Sequence, residues 1–211
     1  MSTVSEVHVH RDPPNVVGSR ERLGVSLLIF ADIAFVACMI FSYFYLRFLN
    51  VNGQWLPDDV TPAGAVQIWI INGILIVGML VFAWGARALR SGKASVLTWT
   101  SLIATLAAAA AAVLQYQQFG VFNFPRVDSG YFSSAYSSSM VALAGANLFH
   151  ICLTVFISLG IANRSRMGRY DSPSSWQPRI ATYWWIWVAV SAVLVGLMTT
   201  FFINTPFPAS M

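Results

Sequence analysis

The chain has 211 residues, 57% of them hydrophobic and 9% charged, against roughly 25% charged in an ordinary soluble domain. That is too little polar material to clothe a water-facing surface, so a soluble enzyme or binding module is excluded. The net charge of +4 is no nucleic-acid signature; it suits a basic rim facing anionic lipid head groups. Residues 1–22 are polar and read as a cytoplasmic N-terminal tail, in which His8 and His10 are solvated rather than metal-binding. The apolar run that follows is too long for a signal core and no small-residue cleavage site comes after it, so no cleaved leader is expected.

Apolar windows long enough to span a bilayer fall at roughly 24–48, 65–87, 95–119, 134–163 and 181–203. They predict an all-α, polytopic five-transmembrane-helix bundle over residues 23–205, because a lipid-exposed backbone has to satisfy its own hydrogen bonds. The alternation of an outer-membrane strand is absent. Of the twelve Lys and Arg, ten lie in the tail and in the second and fourth connections. Arg47 and Arg126 fall on the opposite side. This bias predicts a cytoplasmic N-terminus and an outside C-terminus.

The first run, LLIFADIAFVACMIF, carries Asp32 near its middle, where a charged side chain costs a few kcal/mol. Asn72 lies in the second run. Six alanines, residues 107–112, mark a face of the third run that meets a neighbouring helix rather than lipid, and Gln115 and Gln118 end it. The fourth run brings Asn147 and His150. Counting at about 1.5 Å per residue puts Asp32 and His150 at a common depth. A carboxylate there would accept a hydrogen bond from His150 or Asn147. That network is either glue between helices or a proton relay or ligand site, the first suspicion for intramembrane ionisable groups. No proline falls inside the five windows, which disfavours the broken helices of a small transporter using Asp32.

Cys38 and Cys152, each alone in its run, read as buried small hydrophobes. Trp84, Trp99, Trp176, Trp184 and Trp185 at the inner ends, with Trp55 and Trp69 outside, read as interface belts. A bis-histidine haem needs two axial ligands in the membrane and only His150 is offered, and no clustered His, Cys or Met invites copper.

Over roughly residues 22–203 the five segments resemble subunit III of the haem-copper oxidases, in the five-helix form of bacterial quinol and cytochrome c oxidases and of related nitric oxide reductase accessory proteins. FADIAFVACMIFSYFYLR places Asp32 at the mid-membrane acid of that family. INGILIVG matches its second helix with Asn72, Leu75 and Gly78, and LQYQQF the end of its third with Gln115, Gln118 and Phe119. GYFSSAYSSSMVALAGANLFH gives Gly145, Asn147 and His150 of the fourth, and YWWIWV gives Tyr183 and Trp184 of the last. The sequence departs from the family pattern at Asn147 and Trp185, where the family has His, and at Gln118 and Val188, where it has an acid.

The resemblance implies a non-catalytic subunit of a terminal oxidase in a bacterial inner membrane. Haem and copper would sit in partner chains, above all the catalytic subunit I, with none bound by this chain. Phospholipid would lie in a cleft between helices, its head groups held by Arg22, Arg87, Arg90, Arg164 and Arg166. Asp32, Asn72, Gln118, Asn147 and His150 would form the intramembrane polar network, with Asp32, Asn72, Asn147 and His150 fixing the first, second and fourth helices. A nitric oxide reductase accessory subunit, a small proton or solute transporter, and a transiently bound assembly factor stay open as alternatives.

Overall fold

The computed structural model describes residues 13–49, 55–56, 62–121, 134–170 and 176–202. Among them the secondary structure is helical throughout: α1 (Pro14–Leu49), α2 (Ala65–Arg90), α3 (Ala94–Val121), α4 (Ala135–Arg166) and α5 (Trp176–Phe201). All five are long and apolar enough to cross a membrane. Their outward faces carry Phe30, Phe41, Leu106, Phe149 and Phe156, each more than half exposed, so the surface is as apolar as the interior. In water such a surface would collapse onto any neighbour; against acyl chains it is stable. The chain is a multi-pass membrane protein.

α1 begins at Pro14, about ten residues before the apolar run that marks it in the sequence, so Arg20 and Arg22 lie on its first turns rather than in a tail. α5 likewise begins at Trp176 instead of near 181, which brings Pro178 inside it. Neither Pro14 nor Pro178 breaks its helix, because in a first turn the missing N–H has no intrahelical acceptor to lose. Arg11, Arg126, His8 and His10 lie outside the described residues, as do most of the first and third connections.

The helices pack in an uneven ring. α3 meets α2 and α4; α5 meets α2, α4 and α1; α4 also meets α1. Among the described residues the backbone of α1 comes close to neither α2 nor α3. The α2–α3 hairpin closes over Ser91–Lys93, where Gly92 at φ +76° adopts the left-handed conformation that ends α2. Its N–H and that of Lys93 cap the carbonyls of Leu89 and Ala88 at 2.9 and 3.2 Å.

Small residues set the spacing. Ala104, Ala108 and Ala111, one turn apart on α3, are wholly buried. A methyl group on Gly85 of α2 would lie 2.9 Å from Thr100 Cβ and 3.3 Å from the Leu97 backbone. In a bilayer the tails are as apolar as leucine, so close backbone approach of this kind supplies attraction that burial cannot. Around that seam Phe82, Leu89, Leu97 and Trp185 complete the core.

Candidate functional site

Asp32 lies eighteen residues into α1, near its midpoint, with its side chain 15% exposed. Its Oδ1 is 3.0 Å from Nε2 of His150 on α4, which donates in the Nε2–H tautomer. Its Oδ2 accepts from Trp187 Nε1 on α5. One carboxylate therefore holds the two helices on which α1 rests. The His150 ring is nearly enclosed and meets Trp184 edge-to-face at 5.9 Å. Trp184 Nε1 donates to Thr154 Oγ1 at 2.9 Å, and Trp185 Nε1 to Ser158 Oγ at 2.9 Å, one turn further along α4. Thr154 in turn donates to the His150 carbonyl at 2.7 Å. A ladder of indole donors on α5 thus faces hydroxyls on α4, with the acid of α1 at its top.

Asn147 and Asn72 are not part of this arrangement. Residues three apart on a helix sit about 60° from one another, and that rotation aims Asn147 at α3 while His150 faces α1. Asn147 Nδ2 donates to Gln115 Oε1 at 2.6 Å, and Gln115 Nε2 to Gln118 Oε1 at 2.6 Å. Asn72 lines the same small cavity from α2, beside Gly196 of α5. A methyl group on Gly196 would collide with Asn72 Nδ2. The polar residues of the membrane interior therefore form two groups, an acid–imidazole–indole set joining α1, α4 and α5 and an amide set joining α2, α3 and α4. Asp32, Asn72 and Asn147 do not converge on one network among the described residues, because Asn147 turns from α4 toward Gln115 of α3 and Asn72 lies on α2, whose backbone stays away from α1.

Trp187 and its bond to Asp32 carry no distinct signal in the sequence. Counted from a start near 181, Trp187 would lie shallow, whereas the true start at Trp176 adds about 7.5 Å of depth. The same shift moves Trp184 and Trp185 off the interface belt: they are 4% and 0% exposed, engaged inside the bundle. Trp55 is also buried, edge-to-face with Tyr43 and Tyr136 at 5.1 and 5.6 Å. Trp84 and Trp99, 63% and 68% exposed, keep outward positions. Cys38 and Cys152 are free and exposed rather than buried, since an apolar outer face accommodates a thiol as readily as the core does.

The basic residues Arg22, Arg87, Arg90, Arg164 and Arg166 are exposed at one end of the bundle. That they share an end follows from Gly18 abutting Trp176 and from Ser165 donating to the Ala94 carbonyl at 3.0 Å. Arg164 Nη1 donates to Gln177 Oε1 at 2.8 Å. Two apolar grooves open there. One, of about 540 Å³, runs between α3 and α4 past Leu102, Phe156 and Arg166. The other, of about 330 Å³, lies among α1, α4 and α5 with Val25, Leu28, Arg164 and Tyr170 in its wall. Burial pushes the Tyr170 phenol up, with the neighbouring Arg164 charge opposing.

No protein-family model matches this chain, and no curated protein sequence matches it.

Proposed function

We propose that this chain is a non-catalytic subunit of the subunit III type in a haem-copper terminal oxidase, a complex that passes electrons from cytochrome c or quinol to oxygen in a bacterial inner membrane. The observation that carries the reading is the Asp32–His150 pair. The acid on the first helix, the imidazole on the fourth and the aromatic run of the last are three of the features on which the resemblance to that family rests, and here they meet around one carboxylate. A lone imidazole already engaged by a carboxylate suits a packing role better than a redox one. Electron transfer would then belong to partner chains carrying haem and copper.

The same reading assigns the basic end to the cytoplasmic side, by the excess of Arg and Lys there. The two grooves would seat phospholipid, with Arg164 and Arg166 at their mouths and Arg22, Arg87 and Arg90 around them meeting anionic head groups. Affinity purification of the tagged full chain from its native membrane, followed by a visible spectrum, tests the proposal. Co-purification with a haem-bearing, copper-containing chain at fixed stoichiometry is the expected result. Recovery of the chain free of any haem protein would overturn it. The haem types in the recovered complex, and its turnover with oxygen or nitric oxide, separate an oxidase from a nitric oxide reductase assembly.

A further inference from the structure

The amide set surrounds a cavity of about 30 Å³. Asn72, Gln115 and Gln118 are 3–4% exposed, and Asn147 completes the lining. Each amide brings two N–H groups and one carbonyl oxygen. The two hydrogen bonds among the four use only a fraction of that capacity. Asn72 Nδ2, Gln118 Nε2 and Asn147 Oδ1 have no protein partner, although all three are buried. Turning an amide over exchanges a free donor for a free acceptor and leaves the total unmet. Buried polar atoms without partners cost about 1–3 kcal/mol each. Three of them around one cavity point to a ligand that both accepts and donates.

The ligand has to be small and neutral. No ionised side chain lines the cavity, so nothing compensates a bare ion at membrane depth. A buried water occupies about 10–15 Å³ and takes two to four polar partners. The cavity thus has room for about two waters and the donors and acceptor to hold them. Gly196 keeps the space open, since a side chain there would drive into Asn72.

We propose that this cavity is an ordered-water site. Its waters accept from Asn72 and Gln118, donate to Asn147, and join α2, α3 and α4 where direct side-chain bonds fall short. Asn147 also lines a smaller cavity of about 10 Å³ shared with His150 and Ser191. The water site therefore lies one side chain away from the Asp32 pair. The inference holds whether or not the chain belongs to an oxidase.

Hydroxyl-radical labelling by a millisecond X-ray pulse, with the full chain and whatever purifies with it in lipid nanodiscs, provides the test. Radicals formed from bound water label adjacent side chains that bulk water does not reach. Leu143 lines the cavity, whereas Leu75, Leu89 and Leu97 are similarly buried but lie away from it. Labelling of Leu143 severalfold faster than of these three leucines is expected, with the excess lost in Gly196→Ala. Equal labelling of all four in the wild type would mean a dry cavity and overturn the proposal. So would an excess that persists unchanged in Gly196→Ala, because the radicals would then come from outside the site. A thermal measurement adds a second arm at Asn72, whose Nδ2 has no protein partner: Asn72→Leu lowers the Tm if water satisfies the amide, and raises it if the amide is unpaired.

Discussion

α1 and the α2–α3 hairpin are both membrane-spanning and similarly apolar, yet they are held in opposite ways. The most apolar stretch of α1 is 6% buried, against 33% and 39% in α2 and α3. The hairpin is seated by shape: alanines one turn apart, Gly85 under Thr100, and Gly78 under the Trp185 ring, where an added methyl group would lie 3.0 Å from the indole. α1 leans on α4 and α5 along one edge and is fastened by a carboxylate. Where two helices interlock closely, van der Waals contact suffices. Where they do not, a polar group that lipid cannot satisfy supplies the specificity, because leaving the interface would strip it of its partners.

Substitutions in the hairpin's seat should cost most. Trp185→Ala opens a void beneath Gly78 and removes the donor to Ser158, and should destabilise the bundle by about 3 kcal/mol, read from unfolding in mixed SDS micelles. Gly85→Val forces α2 from α3 and should cost about 2 kcal/mol; a loss of only a few tenths would mean that Thr100 can turn aside and that the close approach is not what holds the pair. Asp32→Leu should cost about 1–2 kcal/mol, the upper part of the range for interhelical hydrogen bonds in membranes. Its effect should be local. Spin labels on α1 and α4 should show a broadened distance distribution while a pair on α2 and α3 stays narrow. Thr98→Val, which removes the 2.8 Å bond to Ser165 at the basic end, should cost about 0.6 kcal/mol. If Thr98→Val proved as costly as Asp32→Leu, the contrast between shape and polar fastening would fail.

Much of the architecture is legible in the sequence, since five uninterrupted apolar runs leave few alternatives to five long helices. Their ends are less legible. Residues such as Ser19, Arg20, Glu21 and Arg22 look like a tail by hydropathy, but they continue α1 beyond its apolar part. That α5 starts five residues early mattered more, because it misplaced every tryptophan in YWWIWV by more than a turn. Asp32 and His150 stand out in the sequence because ionisable side chains are so rare there. Which polar residue meets which is a different matter. Asn147 and His150 share a helix and lie a turn apart, but only the order of helices around α4 decides that one faces α3 and the other α1. A single sequence contains the faces of each helix without the neighbours that meet them.

The partners of Asp32 stand 118 and 155 residues later in the chain. At a synthesis rate of about 5–20 residues per second, the acid leaves the ribosome on the order of ten seconds before the imidazole and indole that receive it. α1 is thus made first and seated last, since both helices it rests on come from the C-terminal half. During that interval its carboxylate has to be sheltered by the insertion machinery, by water or by another polypeptide, which makes biogenesis the stage at which this helix is most exposed to error.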